Sequence, residues 1–113
     1  MKRKIITLCG STKFQKAFEE WNARLTLQGH VVLSVGVFGH SAKIPPTELQ
    51  KQLLDKVHLA KIDLSDEIFV LDVDGYIGPS TRNEINYATN QDKKVRYLSQ
   101  EHPGWSEQDC QYC

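Results

Sequence analysis

A disulfide framework, excess charge of either sign and long apolar runs are what this sequence lacks. Only three of the 113 residues are cysteine, and lysine plus arginine match aspartate plus glutamate at 14 each. Cys9 in the first turn and Cys110 and Cys113 near the end make no disulfide framework, and a reducing compartment suits them. The charge balance leaves no field that would draw nucleic acid or an anionic membrane, so any binding of a small anion has to be local. Behind the basic Met1-Lys2-Arg3-Lys4 comes only Ile5-Ile6-Thr7-Leu8, far too short for a signal core or a membrane span. The expectation is a soluble cytoplasmic protein without partners among nucleic acids or membranes. Its length is that of one domain with a single core.

What is present is an alternation of short apolar runs and amphipathic segments. Lys4 to Cys9 has strand length and β-branched residues, and both faces read as buried. Gly10-Ser11-Thr12 ends it and caps a helix from about Lys13 to Gln28, with Phe14, Phe18, Trp21 or Asn22, and Leu25 on one stripe and Gly29 as the stop. His30 to Val35 is a second strand. Its loop, Gly36-Val37-Phe38-Gly39-His40-Ser41, runs to Pro45-Pro46 and is long enough to be functional. Phe38 there is placed either to stack on a ligand ring or to fold onto the core. Thr47 caps the next helix through a Thr47-x-x-Gln50 box, and Leu49, Leu53 or Leu54, Val57 and Ala60 form its apolar stripe to about Asp63. Glu67 to Asp72 and Lys94 to Leu98 are the remaining strands, and Ser99 to Cys113 reads as a tail behind a domain of residues 1–98.

The stretch from Leu71 to Ala88 carries the most chemistry. It runs from a strand end through a glycine- and proline-rich turn into a helix opening at Ser80, where Pro79 has no amide to leave unsatisfied and Ser80 or Thr81 can cap. Asp72, Asp74, Tyr76, Ser80, Thr81 and Glu84 therefore sit where ligands bind in open α/β sheets. Two roles are open to Glu84. Thr81-x-x-Glu84 is a capping box, in which the glutamate bonds back to the cap amide. Helix phase instead sets Glu84 beside Ile85 and Ala88 at the rim of the buried face, where a desolvated carboxylate acts as nucleophile or base.

Strands alternating with helices imply right-handed crossovers, hence a Rossmann-like or flavodoxin-like three-layer α/β sandwich. The expected parallel sheet has four or five strands in the order 2-1-3-4, with any fifth outside the fourth. That order brings the Gly10-Ser11-Thr12 turn and the Ser80 to Glu84 helix start together across one crevice. Both are helix amino termini suited to phosphate. There is no GxGxxG fingerprint and no Walker lysine, and no cofactor is expected.

Three segments together, I-T-L-C-G-S-T, K-I-D-L-S-D-E-I-F-V-L-D-V and G-Y-I-G-P-S-T-R-N-E-I-N-Y-A, resemble the nucleoside 2-deoxyribosyltransferase superfamily, including its nucleotide N-hydrolase branch. The likeness covers about Lys4 to Leu98. It implies a flavodoxin-like sheet and a homodimer or larger homo-oligomer acting on a nucleoside or its 5′-monophosphate. Glu84 is then the nucleophile at the anomeric carbon and Ser80 the phosphate ligand, with Gly10 and Ser11 along the sugar-phosphate. Asp72, Asp74 and Tyr76 are the choices for the proton donor. Cys9, Thr12, Phe14, Phe38, Gly78 and Thr81 complete the expected substrate-binding set. The chain departs from the pattern at His58, flanked by Asp55 and Asp63, where relatives often carry an acidic residue that supports the sugar. The phosphoribohydrolases called lysine decarboxylase-like also share a C-G-S start and a Thr-x-x-Glu helix, but their P-G-G-x-G-T pattern is missing.

Other features point less far. Cys110-x-x-Cys113 with His102 upstream lacks two further zinc ligands, so no metal is expected. His30, His40 and His102 are isolated, while Lys13 and Arg82 sit at helix starts that disfavour cations unless an anion binds there. A nucleotide sensor without turnover would use the same crevice, and a partner-binding domain would use the tail with Trp105 and Tyr112.

Overall fold

A computed structural model describes residues 2–39 and 42–113, so the expectations for His40 and Ser41 lie outside the described residues. Four strands, β1 (Ile5–Cys9), β2 (Val31–Leu33), β3 (Glu67–Val70) and β4 (Lys94–Tyr97), form one all-parallel sheet in the order β2-β1-β3-β4. The fold is thus the Rossmann-like α/β sandwich the alternation predicts. No fifth strand occurs among the described residues, and no described helix is long and apolar enough to cross a membrane.

Side chains alternate across the sheet and divide the core in two. Ile6, Leu8, Phe69 and Leu71 meet Phe18, Trp21 and Leu25 of helix α1 (Gln15–Leu27) on one face. On the other, Cys9, Ile68 and Val70 meet Ile62 of α2 (Glu48–Leu64) and Ile85 and Ala88 of α3 (Pro79–Asn90). Helix α1 closes as its sequence indicates, with Gly29 N–H donating to the Thr26 carbonyl and His30 N–H to that of Leu25. Its start differs: Phe14, not Ser11 or Thr12, is the cap residue, and no side chain caps it. Instead the Ala17 amide donates to Glu107 from the chain's end.

Helix α2 has the expected capping box between Thr47 and Gln50, but its apolar stripe does not face the sheet. His58 and Ile62 are the buried positions, whereas Leu49, Leu53 and Val57 are 68%, 52% and 49% exposed. Of that stripe only Leu54 is half-buried, at the cavity; the residues turned to the sheet are His58, against Cys9, and Ile62, in the core with Ile68 and Val70.

Ser99 to Cys113 is built into the fold rather than trailing from it. Helix α4 (Leu98–Glu101) and a 3₁₀ turn at Glu107–Asp109 return the chain to α1, where Trp105 packs edge-on against Trp21. Cys110 and Cys113, expected as reduced thiols, are instead joined as a disulfide across three residues, which removes them as zinc ligands and leaves Cys9 as the free thiol. Glu20, wholly buried, anchors this end: Oε1 accepts from the amides of Gln111 and Tyr112 at 3.0 and 2.9 Å, while Oε2 meets Arg24 at 3.1 Å. Charged hydrogen bonds contribute about 1.5–3 kcal/mol each, so Glu20→Ala is expected to cost about 3 kcal/mol and free the tail for proteolysis. An unchanged urea midpoint and cleavage pattern would refute that anchoring.

Candidate active site

The carboxyl ends of β1 and β3 open into a cavity of about 680 Å³. Gly10, Ser11 and Thr12 form one wall, and Gly78, Ser80, Thr81 and Glu84 face them from the start of α3. The crevice expected from the strand order is therefore present. Val35 to Val37 and Pro45-Pro46 supply residues from the loop after β2, and Asp55, His58 and Lys61 come from α2. The proximity of β1 and β3 is enforced at Gly10, where an added Cβ would lie 3.2 Å from both the Cβ and the carbonyl oxygen of Leu71. Close packing of the strand ends thus accounts for this glycine without any ligand.

Helix α3 starts at Pro79, one residue earlier than expected, with Gly78 as its cap and no side-chain cap bond. Arg82 N–H makes the first helical bond, to the Gly78 carbonyl. Thr81 is then inside the helix and nearly buried, so Thr81-x-x-Glu84 is no capping box. Of the two roles open to Glu84, the one at the rim of the buried face is the observed one. The amides of Ser80 and Thr81 belong to the first turn, whose donors have no helical acceptor, and they border the cavity.

Glu84 lies at the floor with its side chain 15% exposed, and its Oε1 has no hydrogen-bond partner among the described residues. His58 Nε2 stands 3.7 Å from that oxygen and 3.5 Å from Cys9 Sγ. Burial dominates the electrostatics of all three. It pushes the Glu84 carboxyl up to about 7, against a downward pull from the Cys9 thiol and with an upward contribution from Asp55. Burial and then Lys61 bring His58 down to about 4, and the Leu8 backbone opposes them. Burial and the Glu84 charge push the Cys9 thiol well above its ordinary range. Near neutral pH, Cys9 and His58 are uncharged and Glu84 is poised between its two forms.

The expected donors separate clearly. Asp72 is buried and committed to Ser99, accepting from its amide at 2.9 Å and its hydroxyl at 2.6 Å. It holds the start of α4 and does not line the cavity. Asp74 is exposed with φ 53° in a 3₁₀ turn at Val73–Gly75 and does not line the cavity. Tyr76 does line it; its ring folds over Gly78, edge-on to Phe14 at 5.9 Å, with Lys13 Nζ 3.6 Å from the ring centre. Phe38 packs edge-on against Phe18 at 5.5 Å, is partly buried against the core and does not line the cavity. Phe14 likewise packs on the core and reaches the cavity only through Tyr76. Cys9 is wholly buried beneath the floor rather than part of the lining.

Lys13 lines the cavity and Arg82 does not. His30 accepts from the Lys4 amide and His102 packs against Trp21, so both are structural. Lys61 is a lining residue that sequence reasoning missed, while His58 and Asp55, noted there only as a departure from the family pattern, line the cavity as well. For His58 the signal was its spacing of four from Ile62, masked by the stronger apolar stripe of Leu49, Leu53 and Val57. No family model and no curated protein matches the chain.

Proposed function

We propose that this protein breaks or exchanges the N-glycosidic bond of a nucleoside or its 5′-monophosphate, with Glu84 as the nucleophile. The observation that carries this is a mostly buried glutamate, one carboxylate oxygen of which makes no hydrogen bond among the described residues, on the floor of a nucleoside-sized cavity and facing two turns suited to a sugar and its phosphate. The resemblance to the nucleoside 2-deoxyribosyltransferase superfamily supports the same roles for Glu84, Ser80, Gly10 and Ser11.

In this mechanism a Glu84 oxygen attacks C1′ as the C1′–N bond breaks, and the bonding pair leaves with the base. The result is a glycosyl ester on Glu84, which water opens in a hydrolase or a second base opens in a transferase, with net retention. The transition state resembles an oxocarbenium ion, which the carboxylate stabilises as it closes. The departing nitrogen takes a proton from the cavity wall, for which Tyr76 and Asp55, both in the lining, are the candidates. Ser11, the free amides at Ser80 and Thr81, and Lys13 suit a 5′-phosphate.

A second copy of the chain seated on the exposed Leu49, Leu53 and Val57 stripe fits the expected homo-oligomer. That face adjoins the cavity through Lys51, Leu54 and Asp55. Leu53→Glu should then lower the mass measured by sedimentation, and a monomeric wild type would reject this assembly.

Function is tested by incubating the protein with ribo- and deoxyribonucleosides and their 5′-monophosphates, with and without an added free base, and separating the products. Release from monophosphates alone identifies a nucleotide N-hydrolase, and exchange without release a transferase. A nucleotide that raises the melting temperature without being turned over would replace the enzyme by a binding domain.

A further inference from the structure

At the cavity floor and just beneath it, three ligand atoms of different chemistry meet. Cys9 Sγ, a His58 ring nitrogen and a Glu84 carboxylate oxygen all lie within 4.8 Å of one another. We propose that they form a binding site for one zinc-class divalent ion, with the fourth coordination position turned toward the cavity. This goes beyond the glycosidic reading and does not depend on it.

Geometry is the first argument. Bond lengths of about 2.3 Å to sulfur and about 2.0 Å to nitrogen or oxygen put tetrahedral ligand atoms roughly 3.3–3.6 Å apart. The Cys9 Sγ to His58 Nε2 separation is 3.5 Å, that from His58 Nε2 to Glu84 Oε1 is 3.7 Å, and the Cys9 to Glu84 edge is within 4.8 Å, so side-chain rotation can close the set. Next, Glu84 Oε1 is a buried acceptor with no hydrogen-bond partner among the described residues. The pull of the Cys9 thiol on this carboxyl and the 3.7 Å approach of His58 still leave Oε1 without a formed hydrogen bond, and a bound cation supplies its partner. Charge is the third argument, because a thiolate, a carboxylate and a neutral imidazole around a divalent ion sum to zero, which suits a buried floor. Entry of the ion displaces one proton from the thiol and, where it is present, one from the carboxyl, both to solvent. The ligands also stand on three packed elements, β1, α2 and α3, which hold their spacing. Mixed sulfur, nitrogen and oxygen donors select zinc or cobalt over magnesium or calcium.

Coordination occupies the carboxylate that the proposed reaction needs, so zinc should act as an inhibitor. The direct test uses cobalt(II) as a spectroscopic probe on chelator-treated full-length protein with its Cys110–Cys113 disulfide intact. Cys9 is then the free thiol, and any thiolate-to-cobalt band reports on it. One equivalent should give that band with tetrahedral visible absorption, and zinc should abolish both. Cys9→Ser should remove the charge-transfer band, and His58→Ala and Glu84→Gln should each weaken binding by about 100-fold or more, exceeding the 10–100-fold typical of outer partners. Absence of the band in folded wild-type protein under excess cobalt overturns the site, whatever the variants do. A band that survives Cys9→Ser, or binding unaffected by both other variants, overturns it as well. No substrate enters this experiment, so its failure is separable from failure of the glycosidase reading.

Discussion

Glu84→Gln is expected to lower base release or exchange by about 10⁴-fold or more, the scale on which losing a covalent nucleophile is felt. Nucleotide affinity should change little, since Ser11, Ser80 and the helix amides remain. Glutamine preserves the shape of the side chain but cannot form the glycosyl ester, so trapping of a sugar on the protein should also vanish. Equal loss of binding and turnover, or full activity, would remove Glu84 from the nucleophile role. A pH signature accompanies this in metal-free protein. The attacking form is the carboxylate, and burial raises the carboxyl to about 7, so kcat/KM for the free enzyme should climb through that pH and flatten above it. A group ionising near its ordinary 4.5 would instead leave the rate flat from about pH 6 upward.

The other large effect concerns stability, and it is hidden in the wild type. Glu84 is raised on folding from 4.5 to about 7, so its contribution is fully present below 4.5 and is lost as pH rises through about 7. His58 is lowered from 6.5 to about 4, so its contribution is present above 6.5 and is lost as pH falls through about 4. Between about 4.5 and 6.5 each state holds one proton on the pair, on His58 when unfolded and on Glu84 when native. The two slopes therefore cancel. Removing either partner exposes the other, at roughly 1.4 kcal/mol per pH unit. Relative to wild type, His58→Gln should lose about 2–3 kcal/mol between pH 4.5 and 6.5, and Glu84→Gln should gain a similar amount. Urea denaturation of the metal-free proteins across that interval checks both, and variants whose curves parallel the wild type would show that burial does not neutralise the pair.

Much of the architecture was legible before any coordinates. Strand order followed from run length and alternation, because a parallel sheet needs crossovers and the crossovers have one hand. The facing turns at Gly10 to Thr12 and Ser80 to Glu84 followed from that order. Local rules did less well where a residue had two competing partners. Asp72 stands at a strand end like a catalytic acid, yet its carboxylate is taken by Ser99, 27 residues away. Phe38 was open to ligand or core, and its ring packs on Phe18 outside the cavity lining.

By itself, then, the sequence determined the alternating α/β order, the caps at Thr47 and Gly29, and the crevice between the first and third strands, because these depend on periodicity, backbone preference and chain topology. Only tertiary structure decided the roll of α2 that buries His58 in place of Leu53 or Val57, the folding of the last residues onto Glu20, and the meeting of Cys9, His58 and Glu84. The physical reason is common to all three. Each depends on which side chains a helix brings over the sheet, a choice made by packing between distant segments that no single segment encodes.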